Sequence, residues 1–500
     1  VSQQEYDKDL RSVQQARRLL EQCRTAQRQF ASASAAQVDA ICQAMSEAAF
    51  QEAERLGRMA HEETGYGNPD HKTVKNQHAA KAVWESIRTV QTVGVIARDE
   101  ARKLLTIAEP MGVAAALTPS TNPTSTAIFK ALIAVKGRNG IVISPHPSAA
   151  RCTLEAVRIV AAAAERAGAP KGLIACLEEP TLQATQEILR HYAVTVILAT
   201  GGGPMVRAAH STGKPAYGVG PGNVPAWVDR SADVPKAARD LVRSKSFDCS
   251  LICATEQTVV ADQAIAQDLR RHMEQAGAYW VDEAQAARLG ELLFRPDGGM
   301  NTRSVGQSAQ ALAQAIGLSV PATVKVLVAP LGGVGAQHPL SREKLTSVLG
   351  FITVPDARAG LETCVSILKF GGDGHTAVVH SQDEKQVEEM ALRLPAFRIV
   401  VNSMSTLGSV GHTCGFAPSF TLGTGGIGGA ISGDNITVTH LINTKRVGWE
   451  LVPWTPADGQ GDGRSGSVTP QGGGAQDIDA IVRGVMDRLR AADASRSLTR

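Results

Sequence analysis

The stretch "GVAAALTPSTNPTSTAIFKALIAVKGRNGIVISPHPSA", residues 112–149, decides the architecture. Two short apolar runs, "GVAAALTPS" and "GIVISP", are each followed by a segment of helical periodicity, over about 124–137 and 148–167. The pattern repeats downstream, where "GLIACLE" precedes a helix near 181–191 and "VTVILAT" one after Gly203. Four such units predict a parallel sheet with helices on both faces.

Working outward, residues 1–92 read as helices. "TVGVIARDEARKLLTIAEP" reads as a hairpin with a charged turn. A second alternating set, "TVVAD", "VKVLVAP", "SVLGFITV", "TAVVHS" and "FRIVVNS", predicts a second α/β domain. "ITVTHLINTKRVGWELVPW" closes the compact part with a strand expected to pair with another subunit. The expected division is 1–92 with 110–230 for a cofactor domain and 231–430 for a catalytic domain. Oligomerisation elements are expected at 93–109 and 431–455, a linker at 456–476 and an amphipathic helix at 477–492.

The totals exclude several classes. A net charge of +3 on 500 residues gives no basic stripe for nucleic acid. No apolar run has the length of a membrane span, and the charged N-terminal residues lack an apolar signal core. The eight cysteines include no C-x-x-C pair, which fits a reduced, cytoplasmic compartment and no zinc site.

Two glycine clusters and one cysteine pair carry the candidate chemistry. "GTGGIG", Gly423–Gly428, fits G-x-G-x-x-G in form, but no clear helix and second strand follow. "ATGGGPMV" is the better phosphate site: a strand ends in Gly201, Gly202 and Gly203 and a helix begins. "SKSFDCSLICATEQTVV", residues 244–260, holds Cys249 and Cys253 at the junction of the two α/β sets, where ligand clefts form. From the residues alone, each cysteine reads either as a small core residue or as a nucleophile.

"EPMGVAAALTPSTNPTSTAIFKALIA", "ISPHPSA", "ATGGGPMV", "YGVGPGNVPA", "FDCSLICATEQ", "EKLTSVLGF" and "GDGHTA" occur in the order seen in aldehyde dehydrogenases. Over roughly 5–455 the sequence resembles the CoA-acylating branch, similar to the propionaldehyde and acetaldehyde dehydrogenases of bacterial microcompartments. The resemblance implies an aldehyde dehydrogenase-like α/β fold, with NAD and coenzyme A as cofactors and a small aldehyde as substrate. It implies Cys253 as nucleophile and Cys249, one helical turn earlier, as a packing residue. It places the cofactor along Thr118, Pro119, Ser120 and Thr121, along Ser144, His146 and Pro147, and along Gly201, Gly202, Gly203 and Val206. Gly218, Val219 and Gly220 complete that surface, with Glu343 on the nicotinamide ribose and Leu345 beside it. His375 in "GDGHTA" is expected to be structural.

Hydrolytic members carry a glutamate that activates water, where this chain has Gly218 or Val219. A general base contributes about 10²- to 10⁴-fold, so the acyl group is expected to pass to the thiol of CoA. In the implied cycle Cys253 forms a thiohemiacetal whose oxyanion meets the Cys253 N–H and the amide of Asn122, or Thr121 in its place. The hydrolytic alternative releases a free acid; a catalytically idle scaffold is a second alternative and a reductase of acyl phosphates a third. In "DIDAIVRGVMDRLR", Ile478, Ile481, Val482, Val485, Met486 and Leu489 form one apolar stripe. That end resembles encapsulation peptides, which implies shell proteins as partners and location inside a bacterial microcompartment. A homodimer or homotetramer is expected.

Overall fold

The computed structural model describes residues 7–453. The linker and amphipathic helix expected over 456–492 lie outside the described residues.

The expected hairpin forms from β1 (Gly94–Asp99) and β2 (Leu104–Pro110), paired antiparallel. The first parallel sheet contains β3 (Val113–Thr118), β4 (Gly140–Pro145), β5 (Ile174–Cys176), β6 (Val194–Thr200) and β7 (Ala216–Val219). Its order is β5-β4-β3-β6-β7, so the chain reverses its direction of travel at β3. Ligands enter an open α/β sheet at such a switch point, beyond the carboxyl ends of the strands. There the buried Lys130 donates to the Leu117 carbonyl at 2.7 Å and the Leu198 carbonyl at 2.9 Å, tying β3 to β6.

Strand alternation explains the helices on both faces. Ala114, Ala116, Ile141, Ile143, Val196 and Leu198 pack beneath the helices Ala35–Gln51, Pro123–Lys136 and Ala150–Arg166. The opposite-facing Val113, Ala115, Leu117, Val142 and Ile197 pack beneath Lys8–Phe30 and Leu182–Arg190.

The second parallel sheet contains β8 (Val224–Val228), β9 (Glu256–Asp262), β10 (Ala278–Trp280), β11 (Val326–Pro330), β12 (Val348–Val354), β13 (Gly374–His380) and β14 (Ala396–Val401). Its order is β10-β11-β12-β9-β8-β13-β14. Sheet membership changes between Val219 and Val224, so β8 lies in the second sheet rather than in the segment ending at 230. The last strand, β15 (Ile442–Gly448), pairs antiparallel with β2 of its own chain from Ile442–Pro110 to Gly448–Leu104. Within the chain β15 is the edge of a three-stranded sheet, with β2 on one side and its other side open. Among the described residues no helix is long and apolar enough to cross a membrane.

Candidate active site

The carboxyl ends of β3, β6 and β7 and the amino ends of β8, β9 and β12 border one cavity of about 410 Å³. The first sheet contributes Pro119, Ser120, Thr121 and Asn122 after β3, Gly201 and Gly202 after β6, and Val219 and Gly220 at the end of β7. The second contributes Cys253 before β9, with Glu343 and Leu345 before β12. His146 also borders the cavity, and its Nδ1 accepts from the Ser148 N–H at 3.2 Å.

Cys253 is reached through an unusual backbone. Asp248, Cys249 and Ser250 have φ of 46°, 50° and 66°, a left-handed run of non-glycine residues that costs on the order of 1–3 kcal/mol each. The fully buried Asp248 offsets this by accepting from the Asn68 N–H at 2.7 Å and pairing with Lys72 at 3.1 Å and with Lys75. Cys249 therefore does not lie one helical turn before Cys253. It sits in the kink, buried, its thiol pushed up to about 11 by burial and by Asp248.

Cys253 is half-buried, and its Sγ stands 3.2 Å from Nε2 of His375. Nδ1 of that imidazole is 2.9 Å from the Thr376 hydroxyl. Burial and the charge of Glu343 push the thiol up to about 12. Burial and the nearby Arg398 hold the imidazole well below its ordinary value. At rest both groups are neutral. Arg398 is itself buried and forms no ion pair among the described residues; it donates to the carbonyls of Gly433 (2.8 Å), His375 (2.8 Å) and Gly423 (2.5 Å). A cation so placed favours a thiolate and opposes an imidazolium. Gly222 packs against the pair so closely that a Cβ would lie 2.1 Å from the Cys253 carbonyl and 3.1 Å from the His375 ring.

Asn122 precedes the helix Pro123–Lys136 but does not cap it with its side chain. Its Nδ2 donates to the Leu251 carbonyl at 2.8 Å and to the Thr121 hydroxyl at 3.3 Å, while its Oδ1 accepts from Lys75. Burial pulls the Lys75 ammonium down to about 8, against the opposing pull of Asp248.

Residues 8–287 match the aldehyde dehydrogenase family. The chain belongs to that family. An acetylating aldehyde dehydrogenase from Geobacillus thermoglucosidasius superposes with a TM-score of 0.89 at 47% identity, over 90% of this chain and 100% of its own. Two propionaldehyde dehydrogenases match with TM-scores of 0.79 at 29% identity, over 87% of this chain and 97% of theirs. One comes from the fucose utilisation microcompartment of Clostridium phytofermentans; the other, from Rhodopseudomonas palustris, holds CoA and an acylated cysteine. The aldehyde-alcohol dehydrogenase 2 of Entamoeba histolytica is 40% identical over 82% of this chain but only 48% of its own length. The chain thus spans about half the length of that relative.

For an aldehyde dehydrogenase, the side chains around the cysteine are the informative part. A Cβ at Gly218 would lie 2.6 Å from both His210 Nε2 and Val206 Cγ1, so no carboxylate fits there. Val219 borders the cavity, and it is apolar. Glu343 is the one carboxylate among the lining residues; its Oε1 accepts from the Gly222 N–H at 2.9 Å, and burial raises it to about 7.

Several expected cofactor contacts fall outside the cavity. Ser144 is buried and bonds the Thr185 hydroxyl at 2.9 Å, and Thr118 is buried within β3. Pro147 is exposed and outside the lining, as are Gly203 and Val206 in the helix Gly203–His210. That helix starts with fewer free donors than its glycines suggest: Pro204 has no N–H, and Met205 and Val206 donate to the Gly202 carbonyl. Gly220 fits a ligand better, because nothing stands within 4 Å of where its Cβ would be.

Sequence reasoning did not bring His375 to Cys253, Lys75 to Asn122, or Arg398 to the His375 carbonyl. "GDGHTA" had singled out His375 as a motif, but the 122 residues separating it from Cys253 hid the contact. Arg398 lies in the apolar run "FRIVVNS", where a charge inside a buried strand was the available signal.

Proposed function

We propose that the chain is a CoA-acylating aldehyde dehydrogenase, oxidising a short aliphatic aldehyde such as propionaldehyde or acetaldehyde with NAD⁺ and CoA to an acyl-CoA. The observation that carries this reading is Cys253, backed by the buried His375 at 3.2 Å, on a cavity whose β7 wall presents Val219 instead of a carboxylate.

His375 takes the thiol proton as the sulfur adds to the aldehyde carbonyl. The Nδ1–H tautomer, donating to the Thr376 hydroxyl, leaves Nε2 free for that proton. Arg398 opposes a lasting imidazolium, so the proton moves on readily to an acceptor. The Cys253 N–H and the Asn122 amide hold the oxyanion of the thiohemiacetal. Bound NAD⁺ supplies the hydride acceptor that converts it to a thioester. Ser120, Thr121, Gly201, Gly202, Gly220, Glu343 and Leu345 hold the dinucleotide first and CoA afterwards, since both must reach the same sulfur. The CoA thiol then displaces Cys253, and His375 handles the proton again.

Glu343 favours a second reading, hydrolysis, because a carboxyl titrating near 7 is suited to activating water. Its bond to the Gly222 N–H instead suits a fixed hydrogen-bonding role toward the ribose. Glu343→Gln separates the two. Loss of one charge-assisted bond lowers kcat/KM for NAD⁺ by about 10- to 150-fold, while acyl-CoA remains the product. A variant that instead loses free-acid release and keeps its affinity for NAD⁺ supports hydrolysis.

The apolar stripe of the tail and the similarity to a microcompartment enzyme support encapsulation through shell proteins. Deleting residues 456–500 is expected to leave NADH formation unchanged and to abolish co-purification with shell; a truncated enzyme still inside shells contradicts this. The open edge of β15, with exposed Val447 and Trp449, supports self-association as a dimer or tetramer.

A further inference from the structure

The cluster of Lys72, Lys75 and Asp248 is buried, lies outside the cavity lining and has no part in the steps above. Two ammonium groups, each 3% exposed, face one carboxylate that is fully buried. A buried ion pair contributes little net stability, so an excess buried cation needs another reason. The surplus is spent on the segment after β3: Lys72 donates to the Thr121 carbonyl at 3.4 Å, and Lys75 to Oδ1 of Asn122.

Asparagine at this position before a helix ordinarily spends Oδ1 on a free N–H of the first turn. Asn122 does not. Its amide is held at both ends instead, with an ammonium on the oxygen and the Leu251 carbonyl on the nitrogen. A flipped amide would set NH₂ against NH₃⁺ and C=O against C=O, so only one orientation is allowed. In that orientation the second N–H has only a long contact, 3.3 Å, to the Thr121 hydroxyl, on the cavity wall two residues of chain beyond Pro119.

We propose that Lys75 is a positioning residue for acyl transfer: its ammonium fixes and polarises the Asn122 amide so that an N–H is presented to the oxyanion formed at Cys253. This rests on Cys253 as the nucleophile. It also decides between Asn122 and Thr121, because Thr121 serves as the resting acceptor of the N–H that the oxyanion claims.

The test uses p-nitrophenyl acetate, which acylates a cysteine through an oxyanion without NAD⁺ or CoA; failure of the CoA-acylating reading therefore leaves it intact. The burst of p-nitrophenolate that disappears in Cys253→Ala is followed in a double-mutant cycle. Asn122→Ala is expected to slow it about 10²- to 10³-fold, as for loss of one oxyanion donor. Lys75→Met is expected to slow it about 10- to 100-fold beside Asn122 and less than about 3-fold in the Asn122→Ala background, the non-additivity of groups acting as a unit. Alkylation of Cys253 by iodoacetamide, which forms no oxyanion, should be unchanged by Lys75→Met. Equal slowing in both backgrounds, no slowing at all, or no Cys253-dependent burst in the wild type overturns the proposal. Should Lys75→Met fail to fold, Lys75→Gln enters the same cycle with the same opposing outcomes.

Discussion

Cys253→Ala is expected to lower aldehyde-dependent NADH formation by at least about 10⁴-fold, the scale on which loss of a nucleophile acts. The substitution removes one sulfur from a half-buried residue at a cavity wall, so the fold and melting temperature should be nearly unaffected. Among the described residues no other cysteine lines the cavity. Cys249 is buried in the left-handed kink with its thiol pushed up to about 11. Cys23, Cys42, Cys152, Cys176 and Cys364 are buried elsewhere, each thiol pushed up by burial. Steady-state NADH absorbance measures the loss, and electrospray mass spectrometry checks that the acyl adduct is gone. Activity above one per cent of wild type would remove Cys253 from the reaction.

The second large effect belongs to His375. A thiol pushed up to about 12 holds only a minute fraction of thiolate at neutral pH. Unaided, its rate should climb about tenfold per pH unit between 7 and 9, because it follows the thiolate fraction well below the pKa. His375 removes that penalty by taking the proton during attack. Its own value lies well below 6.5, so it is neutral and competent across that range. His375→Ala is therefore expected to lower kcat/KM for the aldehyde by about 10²- to 10⁴-fold at pH 7. The pre-steady-state acylation rate of the variant should rise steeply with pH, while that of wild type stays nearly flat. Parallel pH profiles for the two proteins would show that His375 only packs against the sulfur.

Much of the fold was legible because its physical signals are local. Strands such as β3, β4 and β6 read as short apolar runs bounded by Gly, Pro or Thr, and the hairpin read from its alternation. The strands that escaped, β7, β8 and the three-residue β10, are short, and β8 has a proline at its second position. The pairing of β15 with β2 was not read, because an edge strand carries the same pattern whatever strand it meets. For the site, the motif resemblance named Cys253, Asn122 and Glu343, and the structure places all three in the wall of one cavity. It gave no sign of contacts made by distant packing: His375 on β13 and Lys75 in the helix Pro69–Gln77 reach Cys253 and Asn122 only through the fold, and Arg398 on β14 reaches the His375 carbonyl in the same way. Ser144 failed for the opposite reason, since a strand-end hydroxyl can turn inward as easily as toward a ligand, and here it turns to Thr185.

The identity of the acyl acceptor is the most direct test, read as the rate of NADH formation from C2 to C5 aldehydes with CoA present and absent. With no carboxylate at Gly218 or Val219, turnover should fall about 10²- to 10⁴-fold when CoA is omitted, with acyl-CoA accumulating in step with NADH when it is supplied. Full-speed release of free carboxylic acid without CoA would contradict the account.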